Sequence, residues 1–230
     1  MSSAPAHLTY DFGGRQEYCL GFGETKAPRR ILIVPPLFDE MNRVRRMLVE
    51  AMRALASHGV LSYLPDLPGC NESLADISTQ NLADWQRAVI ESAKQLGATH
   101  IASLRGGTLI DHEPVLPHWR LAPVKGSSLL KTMLRTRIAA DKEAGLSTTI
   151  DALMTQAVSG PLAFSGFHLG SAMLASLEGA EPVAVAGCHE VVLDDIDGSA
   201  LWLRAEPQDD PAMSVALAAE LDRWSASCGG

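Results

Sequence analysis

Nowhere in this chain do about 18 apolar residues run together, so no segment is expected to span a membrane. Its first residues, Met1-Ser2-Ser3-Ala4-Pro5-Ala6, lack the basic region and apolar run of a secretory signal. The four cysteines (Cys19, Cys70, Cys188 and Cys228) show no C-x-x-C spacing. That argues against a zinc site and a disulfide framework, and it fits a reducing, cytoplasmic compartment. Positive charge is in deficit, with 19 Lys and Arg against 27 Asp and Glu and a net charge of -8. A nucleic-acid partner would need a basic patch, so none is expected. Internal repeats and low-complexity segments are absent too, and nothing calls for a cofactor or a metal.

What remains is a chain of 230 residues, 47% hydrophobic and 20% charged, enough to bury a substantial core as one domain over residues 1–230. Residues 7–22 read as two short strands about Gly13-Gly14. Ile31-Leu32-Ile33-Val34 is a continuous β-branched and aliphatic run, as in a strand covered on both faces. Residues 42–57 carry Val44, Met47, Leu48, Met52 and Leu55 at helical spacing, and Gly59 follows. A strand at 60–64, a helix at 81–96 and a strand at 100–102 come next. This alternation predicts an α/β fold with a mostly parallel sheet and helices on both faces. In such a sheet the site lies at the carboxyl edge of the strands, here the loops at 35–42, 66–73 and 105–107. The second half is less regular. Strands are expected at 119–124, 162–167, 183–186 and 201–204, and helices at 127–143, 148–158, 170–177 and 211–224, the last capped by Asp209 or Asp210.

Ser103-Leu104-Arg105-Gly106-Gly107 follows the strand at 100–102 and has the frame of a nucleophile elbow, with small residues two places either side of the centre. The apex is Arg105, which stays protonated and cannot attack a carbonyl carbon. Two readings of it stand. One is an anion anchor, helped by N–H groups of a helix starting at Gly106. The other is an internal ion pair to Glu40 or Asp66.

Other parts of a hydrolytic site are scarce. Pro35-Pro36 replaces the usual oxyanion-hole residues and removes two N–H groups, leaving Leu37 or Phe38 as donors. Glu40 reads either as a site carboxylate or as an acidic residue opening the helix it shares with Asn42. Cys70 is the alternative nucleophile on this edge, provided that a cation lowers its pKa; otherwise it is a small buried hydrophobe. No histidine follows residues 201–204, where the base of such a site belongs. His189, with Glu190, Asp194 or Asp195 beside it, and His112 are the substitutes. Ser73 and Ser103 have weaker claims as nucleophiles. Arg135 and Arg137 point to different sides of one helix, so at most one lines the site. The candidate catalytic residues are therefore Arg105, Cys70 and His189. The candidate ligand contacts are Leu37, Glu40, Asn42, Asp66 and Gly106.

A family resemblance fits these loops. Val34-Pro35-Pro36-Leu37-Phe38-Asp39-Glu40-Met41-Asn42, running on to Arg45-Arg46-Met47, resembles the N-terminal signature of exosortase A system-associated hydrolases of type 2. Pro65-Asp66-Leu67-Pro68-Gly69-Cys70-Asn71-Glu72-Ser73 and the Arg105 elbow are similar to two further motifs of that family. So are Ala122-Pro123-Val124-Lys125-Gly126 and Leu134-Arg135-Thr136-Arg137-Ile138-Ala139-Ala140-Asp141. Val44 and Asn71 stand where the family pattern has Ser and Gly. The resemblance implies an α/β-hydrolase fold, with residues 114–180 as a reduced, irregular lid. It also implies a bacterial role near exopolysaccharide production and exosortase sorting. Two function classes follow. One is an ester or thioester hydrolase or acyl-transfer enzyme without an elbow serine. The other is a non-catalytic relative binding an anionic ligand or a protein partner through Arg105; a small acyl ligand and a homodimer are further expected partners.

Overall fold

The computed structural model describes residues 4–228 apart from Pro114, Asp197 and Ala205. Strands β1 (Ala6–Phe12) and β2 (Arg15–Phe22) form the expected hairpin, with Gly13 and Gly14 at φ 59° and 75°, the left-handed geometry of a tight two-residue turn. The aliphatic run becomes β3 (Arg30–Val34), with residues 31–34 wholly buried. Helix α1 (Asp39–Ser57) starts three residues earlier than its apolar periodicity suggested, because Asp39 and Glu40 supply an acidic first turn suited to the helix dipole. Strand β4 (Leu61–Pro65) leads to α2 (Leu82–Gln95), where Asn81 and Asp84 form a reciprocal capping box. Strand β5 (His100–Leu104) ends at the elbow, and β6 (His118–Leu121) follows.

Beyond β6 the chain builds α3 (Gly126–Glu143), α4 (Ile150–Ser159), a hairpin of β7 (Leu162–Phe164) and β8 (Phe167–Leu169), and α5 (Ser171–Glu178). Strand β9 (His189–Val191) returns to the main sheet. Helix α6 (Pro211–Ser227) closes the described chain, capped by Asp210 with proline in its first turn. The seven-stranded sheet has the order β1-β2-β4-β3-β5-β6-β9, antiparallel over β1, β2 and β4 and parallel from β4 to β9. One core lies between the sheet and α2, α3 and α5; the other joins the sheet to α1 and α6.

Three expected elements differ. Residues 201–204 are not a strand: Leu201–Leu203 is a 3-10 turn that buries Leu201 and Trp202 against the α1/α6 core. A short apolar run carries too little periodicity to separate those states. Residues 183–186 form no strand either; the Val183 carbonyl accepts from Arg120 at 2.8 Å instead, and the strand comes later at β9. The elbow opens only a five-residue 3-10 turn, Arg105–Leu109, in place of a helix from Gly106. Gly106 and Gly107 are weak helix formers, and Asp111 leaves the axis to meet Arg120 in a buried two-pronged pair at 2.9 and 2.6 Å.

Candidate functional site

The elbow turns as sharply as its sequence implies. Arg105 sits at φ 52°, a left-handed conformation uncommon outside glycine. Gly107 lets the turn press on the end of β3: a Cβ there would lie 2.5 Å from the Pro35 carbonyl oxygen and 2.7 Å from that of Val34. Gly106 is held more softly, with Leu129 Cδ1 and Leu37 Cγ as nearest neighbours to such a Cβ. Gly106 and Gly107 lie within the 3-10 turn, and the Gly107 carbonyl accepts from the Ile110 N–H at 3.1 Å. Across from them Phe38 also has a positive φ, 58°, and packs against Trp85 and Phe167 with ring centroids 5.3 and 5.9 Å away.

Arg105 turns inward to a carboxylate. Its Nε and Nη2 donate to Glu40 Oε2 and Oε1 at 3.2 and 3.0 Å, and Nη1 reaches the Ala122 carbonyl at 3.4 Å. The guanidinium carbon lies 5.1 Å from the Trp202 ring centroid, a cation–π distance. Of the two readings of Arg105, the internal pair is the one seen here, and its partner is Glu40. Burial pushes the Glu40 carboxyl above its ordinary value, and the Arg105 hydrogen bonds offset only part of that shift. Neighbouring Arg43 donates to Asp39 and, at 2.8 Å, to the Trp202 carbonyl.

Beside this pair lies a cleft of about 440 Å³, within the range of small-ligand sites. Its inner wall is apolar, with Leu37, Phe38, Leu129 and Phe164 all buried. Asp39 and Glu40 line it as well, each held by an arginine. Along α3, Leu129, Thr132, Met133 and Thr136 share one face at helical spacing and form a long side of the cleft. Exposed Leu203 and Arg204 stand on the open side. Trp202 and Arg43 were not singled out by sequence reasoning. Their signals were a tryptophan inside a four-residue apolar run and an arginine one helical turn after Asp39.

The remaining candidates lie apart from the cleft. Asp66 is buried and shapes its own loop, accepting from Asn71 Nδ2 at 2.7 Å and the Glu72 N–H at 3.2 Å, with Arg45 3.7 Å away. Burial raises its pKa. Cys70 lies in the same loop beside Pro36, exposed Asn42 and Trp85. Burial, with Asp66 and Glu17 adding negative charge, pushes its thiol up to about 12. That is the opposite of what a thiolate nucleophile needs. Arg105 does not serve it as a cation, since its fork closes on Glu40.

His189 is half exposed on β9, pairs in register with Trp119, and faces Glu220 of α6 at 3.3 Å. Leu104, the residue before the apex, is in register with Leu121, which pairs with Val191. His189 is thus set two residues back from the carboxyl edge. His112 meets Gln86 at 2.8 Å. Arg137 ties Asp141 and the Ala163 carbonyl together at 2.8 Å each, and Arg135 is exposed outside the cleft lining. Among the described residues, no His lines the cleft and no three His, Cys, Asp or Glu side chains converge as a metal site requires. No described helix is long and apolar enough to cross a membrane.

No protein-family model matches this chain, and no curated protein matches it. Solved structures do. A thioesterase domain from the curacin biosynthetic pathway is 12% identical over 97% of this chain and 99% of its own length, with a TM-score of 0.50. A predicted CIB-like hydrolase from Thermoplasma acidophilum is 12% identical over 98% of this chain and 97% of its own, at 0.48. An epoxide hydrolase from Vigna radiata is 17% identical over 53% of this chain, at 0.43, and only 40% of its length is spanned. At such identities the likeness concerns the fold. With the sheet order above, it gives this chain an α/β-hydrolase fold.

Proposed function

We propose that this α/β-hydrolase-fold protein holds a small acyl-type ligand in the cleft beside its elbow and does not cleave it by serine chemistry. One observation carries the reading: the apex of a correctly strained elbow is an arginine whose fork is closed on Glu40. A guanidinium cannot form an acyl-enzyme. The thiol that would replace it, Cys70, is held protonated in another loop. The cleft nevertheless keeps a small-ligand volume and an apolar inner wall, and that combination favours binding.

The loop motifs that resemble exosortase A system-associated hydrolases of type 2 support placing the protein with that group, near exopolysaccharide production. In such a setting a hydrolase frame without its nucleophile binds an acyl compound without cleaving it. A fluorophosphonate probe tests the reading. The folded protein should stay unlabelled, and stoichiometric labelling of any serine would overturn it.

A further inference from the structure

The cleft's charges differ in how far they are already used. Arg105 is bonded to Glu40, and Arg43 to Asp39 and the Trp202 carbonyl. Arg204, on the exposed side of the same cleft, has no carboxylate in ion-pair range among the described residues. Of the acids that follow it in sequence, exposed Glu206 makes no ion pair with it and two others are engaged elsewhere. Asp209 meets Arg46 at 2.9 Å, and Asp210 caps α6 and accepts from Ser199.

The inner wall offers the reverse. Leu37 and Leu129 meet there over Gly106, and Asp39 and Glu40 already occupy the guanidiniums of Arg43 and Arg105, which leaves no free cation there for an anion among the described residues. The cleft-lining run of α3 from Leu129 to Ala139 measures about 15 Å along the axis. A volume near 440 Å³ suits roughly ten to fifteen non-hydrogen atoms, counting each at about the space of a water molecule.

Building on the cleft-binding reading above, we propose that the ligand is a single-chain amphiphile with an anionic head, of the size of a medium-chain acyl carboxylate. Its tail lies against Leu37 and Leu129, and its head pairs with Arg204. This orientation keeps the polar head away from the elbow, so a bound acyl group presents methylenes, not a carbonyl, to the position where hydrolases attack. The anion recognition first sought at Arg105 thus moves to the rim. Arg204 is exposed, so its contribution is screened by salt, and the tail supplies most of the affinity.

Isothermal titration of the folded protein with decanoate, decyl phosphate and decanol tests this, with Arg204→Gln, Arg135→Gln and Met133→Trp alongside. Decanoate should bind about tenfold tighter than decanol, Arg204→Gln should bring the two within about threefold, and Arg135→Gln should change nothing. Met133→Trp, which fills the cleft, should abolish binding of all three. A preference for decyl phosphate over decanoate that vanishes in Arg204→Gln would keep the anionic head and make it a phosphate. Equal binding of all three, unchanged in Arg204→Gln but lost in Met133→Trp, would overturn the head-group assignment and leave the cleft reading standing. No binding of any of them would overturn both.

Discussion

The Arg105 guanidinium lies edge-on to the Glu40 carboxylate, with Nε 3.2 Å from Oε2 and Nη2 3.0 Å from Oε1. Both side chains are mostly buried, 16% and 12% exposed. The pair ties the elbow to the first turn of α1 where a hydrolase would keep its nucleophile accessible. Removing one member leaves the other charge stranded. Arg105→Ala should therefore cost about 3 kcal/mol, at the lower end for buried pairs, and Arg105→Met combined with Glu40→Leu should recover most of that. Chemical denaturation of Arg105→Met, Glu40→Leu and the double variant beside the wild type closes the cycle and measures this coupling directly.

Glu40 also sets a pH dependence. Its folded pKa lies above the ordinary 4.5, mainly through burial. In that window the folded state binds more protons than the unfolded chain, so the contribution of Glu40 is present below about 4.5 and is lost as pH rises through the raised value. The stability of the wild type relative to Glu40→Gln should fall as pH climbs above 4.5 and level off once the pH has passed the raised value. Denaturant midpoints of both proteins across that range give the curve.

The two elbow glycines should respond unequally to alanine. At Gly107 the new methyl meets backbone oxygens of Val34 and Pro35, which cannot move without bending β3. At Gly106 its shortest contact is the terminal Cδ1 of Leu129, which can rotate, with Leu37 Cγ next at 3.0 Å. Gly107→Ala should cost roughly 3 kcal/mol and Gly106→Ala about 1 kcal/mol, both at the scale of overpacking. Thermal melts should rank them in that order.

Thiol chemistry separates the cysteines. Burial pushes Cys19 and Cys70 each up to about 12, whereas Cys228 is exposed near the end of α6. Iodoacetamide at mildly alkaline pH should alkylate Cys228 first and reach Cys19 and Cys70 only on unfolding. Mass spectrometry of the native and denatured protein reads the order. Rapid native labelling of Cys70 would show a thiolate that its surroundings argue against.

The first half of the fold was legible because its signals are local and strong. A β-branched and aliphatic run as dense as Ile31–Val34, bounded by Pro35-Pro36, suits a doubly covered strand, and the apolar spacing of residues 42–57 marks a helix. The elbow was legible for the same reason, through the spacing of Ser103, Arg105 and Gly107. The second half depended on tertiary partners. Nothing near residues 201–204 says that Trp202 will stack on Arg105, because the contact is made across nearly a hundred residues of chain. His189 and Cys70 looked chemically apt in sequence, yet register places one back from the carboxyl edge and burial holds the other protonated. Sequence alone narrowed the partner of Arg105 to Glu40 or Asp66, whose loops end at the same sheet edge, and the structure selects Glu40.

Turnover on a panel of short-chain esters and thioesters is the most direct test of a cleft that binds without cleaving. With Arg105 closed on Glu40, the wild type should hydrolyse none of them above the buffer rate. Hydrolysis that scales with protein concentration and is lost in Cys70→Ala would contradict this account and make the chain an enzyme with a relocated nucleophile.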